Sequence, residues 1–497
     1  MAAGAALDSA SGRPWPEKNS EIKRQIKDIF NQIDQKIPNI TFSHKDQTTS
    51  AKKSRVFIRN PQNRYCVGDQ ITVQVDAYDY LGKRKTYGGD YLRARIYSPD
   101  KGAGSSGRIE DFNNGSYHIY FTLFWEGNIS VSVYLMHPSE AVAALWRSRN
   151  TGYGNVGYLG KFTSGDKAVE TKCGFLLDKK EELCEYADHE DDEYFYCVKP
   201  QNFSCHSFTE FKNWKTLITH LSKLENSLIE RYSSCIDVVT TFFPKDSSSQ
   251  IEETCKTGMG LEYPSGYVMN DTWYPKGCTM RTYNSMEEMN ACMKGKFFYM
   301  FGDSTMHQWM AYFEQNLKTL RLMNVYEIGW AQKHLGVDLE RNIHLIWKRH
   351  ARPFIYLGFV SHREERTIPR EIDLIGGNQH TVIALNIGVH FRLFPVHHYI
   401  RRLLNIRRAI ERLFLRSPKT KVIIKTENTS DMSNEYEGMS DFHAYVHYAI
   451  MEIIFRGLNV GFVNGWDMTT AWNTNQIHPP ETFIRNEINM LMTYTCS

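Results

Sequence analysis

The sequence predicts an all-β sandwich followed by a doubly wound parallel α/β domain, and two changes of pattern along the chain predict it. Between about 53 and 145, short alternating runs such as ITVQVDAYDY and GSYHIYFTLF are separated by Gly, Asn, Asp and Pro. Period-two alternation between turn residues marks antiparallel strands with one buried face. From about 291 to 497, apolar runs alternate with helical patterns instead. Strand and helix in alternation build a parallel sheet with helices on its faces.

Composition sets the outer limits. A chain of 497 residues with 41% hydrophobic content can fill several cores, which excludes a disordered protein. The net charge is only +3, from 59 basic and 56 acidic residues, so no global field marks a nucleic-acid binder. No run of about 18 apolar residues is present to span a bilayer. The opening MAAGAALDSASGRPWP lacks the basic flank and apolar core of a signal peptide.

Two features nevertheless indicate the secretory pathway, so a signal or anchor is expected to be missing from this chain. Eight of the ten cysteines lie between Cys173 and Cys292, and none has C-x-x-C spacing. This pattern suits loop-closing disulfides better than structural zinc, although the pairing is not legible. Six N-x-S/T sequons, at Asn39, Asn114, Asn128, Asn202, Asn270 and Asn428, agree with a Golgi-lumenal or secreted glycoprotein.

The elements follow in order. Residues 1–52 read as a polar stem with one amphipathic helix through Ile22, Ile26, Ile29, Phe30 and Ile33. Residues 53–145 form the sandwich, including a hairpin in which the Gly115 turn leads into inward-facing Tyr117, Ile119 and Phe121. Residues 146–290 read as a disulfide-braced connector with little periodicity. Its acidic run over 181–193 is either a solvated loop or, less simply, a calcium ligand set. Residues 291–497 hold the strands KFFYMF, IHLIW, TVIALNI, KVIIK and LNVGFV, with helices between them. Sheets of this kind bind ligands at the carboxyl ends of their strands.

Three strand ends carry chemistry. KFFYMF leads into Gly302, Asp303 and Ser304, where a glycine permits a tight turn and the serine opens a helix. Alone, this is a weak signal that reads more readily as a helix cap at Asp303 or Ser304. TVIALNIGVHF places Asn386 and His390 at the end of another strand, either as an oxyanion donor and a substrate contact or as a plain Asn-x-Gly turn. Near the carboxyl terminus, His478 stands in a Pro-flanked loop after the last strand. A serine hydroxyl needs such a base to become a nucleophile. Ser304, Asn386 and His478, each at a strand end, form the specific constellation.

Other candidates are weaker. His443 and His447 have the i, i+4 spacing of a zinc pair, but Ala444 stands where a zincin needs glutamate, so they read as ordinary histidines. Arg401, Arg402, Arg408, Arg412 and Arg416 line one side of a helix. That face is solvated by default, or a dock for anionic coenzyme A or a sialylated glycan.

GDS at 302–304, NIGVH at 386–390 and the late His-Pro resemble the PC-esterase branch of the SGNH hydrolase fold. The strand-rich module resembles filamin-type immunoglobulin repeats and the neurexophilin module. The whole order resembles the neurexophilin and PC-esterase domain (NXPE) family, whose catalytic part is similar to the sialic-acid O-acetyltransferase. The resemblance implies that Ser304 is the nucleophile, Asn386 the oxyanion amide and His478 the base. It further implies acetyl-CoA as donor, no metal, and sialic acid on mucin-type glycoproteins as acceptor. The chain departs from the motif at Asn475, where an aspartate three residues before the histidine is usual. Asp467, just after the last strand, is the expected substitute. A carbohydrate esterase and an inert glycan- or protein-binding protein remain as alternatives.

Overall fold

The apolar positions of the helix Ser20–Asp34 recur every three to four residues, and Ile22, Ile26, Ile29 and Ile33 are all buried. Their partners lie at the far end of the chain. The stripe joins the core beneath the helix Val396–Arg416, so the stem helix is docked on the α/β part. This computed structural model describes residues 20–496 except 152–155, 179, 216–218, 230–234, 242–252, 325–332, 363–364 and 431–435.

Two antiparallel sheets make the sandwich. One has four strands, Arg55–Ile58, Gln70–Asp76, Ser116–Thr122 and Arg108–Asp111 in spatial order. Alternation places Ile71, Val73 and Val75 inside, against Ile119 and Phe121 of the neighbouring strand. The facing sheet has six strands, in the order Cys235–Thr241, Asn128–His137, Tyr91–Ser98, Ala103–Ser106, Gly266–Met269 and Thr272–Pro275. Three of these six come from the stretch expected to be connector. The sandwich therefore does not close at residue 145, and two of the three, with four residues each, are too short to display a period.

The rest of that stretch forms a third sheet of six strands, from Leu183–Asp188 at one edge to Val360–Ser361 at the other. Cys173–Cys197 and Cys184–Cys205 staple it around buried Tyr158, Phe162, Phe195 and Phe211. Two further bridges, Cys255–Cys278 and Cys292–Cys496, bring the disulfides among the described residues to four. They fit a secreted or lumenal protein. Among the described residues, no helix is long and apolar enough to cross a membrane.

The C-terminal domain is built on a parallel sheet of β1 (Phe297–Gly302), β2 (Ile343–Arg349), β3 (Thr381–Leu385), β4 (Lys421–Lys425) and β5 (Gly461–Val463) in the order β2-β1-β3-β4-β5. Two antiparallel strands, His334–Asp338 and Arg321–Asn324, extend it beyond β2. Every residue of β3 is buried, because alternate side chains meet different helix layers. Ile383 and Leu385 face α2 (Val396–Arg416) and α3 (Asp441–Phe455). Val382 and Ala384 face α1 (Ser304–Asn316) and α5 (Glu481–Cys496). The order reverses between β1 and β3, and sheets of this kind take ligands at the carboxyl ends of the strands at such a point.

The acidic run is solvated in its first part, where Glu181, Glu182 and Glu185 are exposed, and among the described residues no acidic group is placed to hold a metal ion. Asp188 takes a bidentate pair from Arg370 at 2.9 Å on each arm, and Glu193 takes Arg402. Its last residues, from Asp188 to Glu193, are the acidic half of an interface whose basic half is the arginine face of α2 and the helix before β3.

Candidate active site

β1 ends at Gly302, where the chain must pass close to β3. A Cβ there would lie 2.8 Å from the Asn386 carbonyl oxygen and 2.8 Å from the Met306 side chain. Asp303 then caps α1, its Oδ1 accepting from the Thr305 N–H and hydroxyl, each at 2.8 Å. Ser304 is thus the first residue of the helix. Its own N–H has no intrahelical acceptor and lies at the positive end of the helix dipole, where negative charge is favoured.

His478 Nε2 lies 2.7 Å from Ser304 Oγ. The loop that carries it follows α4 (Gly465–Trp472) and is pinned at its backbone. Asn428 Nδ2 donates to the Ile477 carbonyl at 3.0 Å, the Thr429 hydroxyl to the Thr474 carbonyl at 2.7 Å, and Gln308 Nε2 to the Pro479 carbonyl at 3.2 Å. Burial pushes the His478 imidazole below the usual histidine range, the Asp303 carboxylate pulls it back up, and the Lys425 ammonium pushes it down. A depressed imidazole is neutral at pH 7 and able to take a proton.

Neither residue expected to support this histidine is hydrogen-bonded to its ring. Asp467 is fully buried in the first turn of α4, where one oxygen accepts from Ser106 and the other from the Ser265 N–H and hydroxyl. No hydrogen bond joins it to His478 among the described residues. Asn475 turns its Oδ1 to Arg93 instead, at 2.6 Å. Proximity in sequence to the last strand placed Asp467 near the site but could not show which way α4 would turn it. The carboxylate whose charge reaches His478 is Asp303, whose Oδ2 is buried without a hydrogen-bond partner.

Asn386 is also fully buried, at the end of β3. Its Nδ2 donates to the Lys425 carbonyl at 3.2 Å and reaches the Thr426 carbonyl only at 3.5 Å, the outer limit of such a bond. One N–H is therefore spent on β4 and the second is weakly held.

Comparison with known families now applies to this geometry. Residues 273–496 match the model described as "NXPE family member 4-like, C-terminal domain", and residues 17–227 match the one described as "Neurexophilin". The chain belongs to the NXPE family. Among solved structures, invasin, a bacterial integrin-binding protein, is similar at 10% identity and a TM-score of 0.15. That match covers 61% of this chain and 60% of the other, and a score so low carries no structural argument.

In this NXPE chain, His390 stays beside the site while the two arginines expected with it do not. His350 Nδ1 lies 2.7 Å from the Ala351 carbonyl, which can only accept, so that nitrogen carries the proton. His350 Nε2 then accepts from His390 Nδ1 at 3.0 Å, which leaves His390 Nε2 with a bare lone pair. Burial lowers both rings, His350 to about 3 and His390 to about 4, so both are neutral. Arg401 donates to the Asp192 carbonyl at 3.0 Å, and Arg408 meets Gln25 of the stem helix at 3.4 Å. The basic face of α2 thus pairs within the molecule, with Arg402 on Glu193 and Arg412 on Asp373 as well.

One further expectation changes. Asn39, Asn114, Asn128, Asn202 and Asn270 are exposed, as glycosylation requires, but Asn428 is fully buried. Its Oδ1 accepts from Lys425 Nζ at 3.0 Å while its amide holds the His478 loop. The sequon pattern marked the right residue for the wrong role. His443 and His447 are core histidines, the latter 2.5 Å from Glu427 and stacked on Tyr399.

Proposed function

We propose that the chain is a serine-dependent O-acetyltransferase that carries an acetyl group from acetyl-CoA, through Ser304, to a glycan hydroxyl in the Golgi lumen or outside the cell. Sialic acid on mucin-type glycoproteins is the acceptor this reading favours. The observation that carries it is the 2.7 Å contact between His478 Nε2 and Ser304 Oγ at the carboxyl ends of a parallel sheet. The order β2-β1-β3-β4-β5, with helices on both faces, supports an SGNH-type domain.

The steps follow from the residues. His478 Nε2 takes the hydroxyl proton as Ser304 Oγ attacks the thioester carbonyl. The Ser304 N–H and the second N–H of Asn386 meet the resulting oxyanion, the role in which oriented donors are worth most. The thiolate leaves with the proton from the imidazolium, and an acetyl-serine remains. A sugar hydroxyl then gives its proton to His478 and attacks the acetyl carbon, which frees Ser304 and forms the sugar ester. With Asp467 turned away, the Asp303 carboxylate is the charge that stabilises the imidazolium.

His478 is only partly buried and stays open to solvent, which favours a second reading, since water can reach the same acetyl-serine. A carbohydrate O-acetylesterase would use every step but the last acceptor. Purified protein incubated with labelled acetyl-CoA and a panel of sialylated and neutral glycans separates the two. Label in the glycan supports transfer, release of free acetate supports hydrolysis, and neither product sinks both.

A further inference from the structure

Arg93 sits on the strand Tyr91–Ser98 of the β-sandwich, yet its side chain is buried among residues of the α/β domain. Its Nη1 donates to the Asp441 carboxylate at 2.8 Å, and its Nη2 to Asn475 Oδ1 at 2.6 Å. A buried guanidinium is tolerated only when its charge is answered. Asp441 answers it, and that carboxylate is itself steadied by the Ser430 N–H at 2.8 Å and by Arg392 at 3.8 Å. Charge balance is thus complete without Asn475. What the second arm adds is direction, since a planar fork fixed at one end sets where the other end points.

Asn475 stands three residues before His478, in a loop whose other side-chain anchors, Asn428, Thr429 and Gln308, all come from the α/β domain and grip main-chain carbonyls. Arg93 grips from the opposite side. The sandwich also reaches α4, which leads into this loop. Ser106 holds Asp467, and the strand Ala103–Ser106 comes so close that a Cβ on Gly104 would lie 2.3 Å from the Ala471 carbonyl. The loop carrying the base is therefore clamped between two domains.

We propose that Arg93 is a positioning residue for His478, acting through Asn475, and that the β-sandwich is part of the catalytic apparatus rather than a spacer. The inference rests on the serine–histidine reading above. It also accounts for the amide at 475. A carboxylate there would be drawn to the same guanidinium and would not be free for the imidazole.

The test uses the full chain and a fluorophosphonate probe, which labels only a serine activated by its base. The decisive variant is Asn475→Ala, because the residue is exposed and its loss leaves the buried Arg93–Asp441 pair intact. Labelling of Ser304 should slow by about tenfold to a hundredfold, the order of loss that a misplacement near 1 Å produces. The fall should appear in the maximal labelling rate and not in probe affinity, with an unchanged melting temperature. Arg93→Lys, which keeps a cation for Asp441 but loses the second arm, should slow labelling similarly. Asn475→Asp, which keeps an oxygen for Arg93, should recover most of the rate lost in Asn475→Ala. Wild-type labelling rates in folded Asn475→Ala, or losses that only track the unfolded fraction, overturn the inference. If the wild-type chain is labelled no faster than Ser304→Ala, the site reading itself fails and this inference with it.

Discussion

The His478 Nε2 and Ser304 Oγ atoms meet at 2.7 Å although their residues are 174 positions apart, one opening a helix and the other riding a loop. Neither side chain supports a core. Ser304→Ala and His478→Ala should each cut acetyl transfer at least about a thousandfold while leaving circular dichroism and the melting temperature unchanged. Transfer at wild-type rate in either folded variant would remove that residue from the chemistry.

The pH profile follows from the sign of the His478 shift. Burial lowers this imidazole, so the protonated, inactive form is reached only at a pH below the usual histidine value of about 6.5. The acidic limb of kcat/KM should therefore fall below that value, with full activity above it. Asp303→Asn removes the charge that opposes the shift, so the limb should move further toward acid as the maximal rate drops. A limb above 6.5, or one that Asp303→Asn moves upward, contradicts this assignment.

Asp467 tests the alternative acid. Its carboxylate is pushed up to about 6 by burial and is held by Ser106 and Ser265, with no hydrogen bond to the imidazole among the described residues. Asp467→Asn should cost about 1–3 kcal/mol of stability through an imperfectly satisfied buried group. Turnover per folded molecule should fall by less than about tenfold, against the roughly 10⁴ expected for a true triad acid. Denaturant titration and steady-state kinetics on one preparation separate the two effects.

The parts of this site that the sequence made legible are those whose geometry is local. A glycine, a cap and a serine after an apolar strand dictate a strand-to-helix turn, and the structure builds that turn at 302–304. The same holds for the alternation that marks Gln70–Asp76 and the all-apolar β3. What escaped depends on contacts between distant segments. Nothing in the neighbourhood of Arg93 announces a partner at 475, and the acidic run looked solvated because its arginines lie some two hundred residues later. The strands Gly266–Met269 and Thr272–Pro275 escaped because four residues show no period.

Asn428 should carry no glycan. A glycan on an amide that is fully buried and bonded to the Ile477 carbonyl is incompatible with the folded chain, whereas Asn39, Asn114, Asn128, Asn202 and Asn270 are exposed. Peptide mass spectrometry of protein from a glycosylating host should find Asn428 unmodified in every molecule. Asn428→Gln should lower both stability and the Ser304 labelling rate, because a longer side chain cannot keep Lys425 and the Ile477 carbonyl at once. A glycan at 428 in folded protein would show that the loop opens far more than this packing allows.

Asn386 is where the packing and the chemistry make opposing demands. One N–H of its amide is committed to the Lys425 carbonyl at 3.2 Å, and the other meets the Thr426 carbonyl only at 3.5 Å. A bond at that length is weak enough to be exchanged for a developing oxyanion, which offers a full negative charge. The exchange is favourable only in the transition state, which is what distinguishes a catalytic donor from a binding one. Asn386→Ala should therefore reduce kcat by about a hundredfold to a thousandfold with KM little changed. Asn386→Asp should do no better, since a carboxylate would set negative charge both against those carbonyls and against the oxyanion. The fall in kcat must be read per folded molecule, because losing the bond to Lys425 also costs about 1–3 kcal/mol. If kcat per folded molecule falls less than tenfold in Asn386→Ala, the oxyanion role passes to the Ser304 N–H, and Asn386 is left as the tie between β3 and β4.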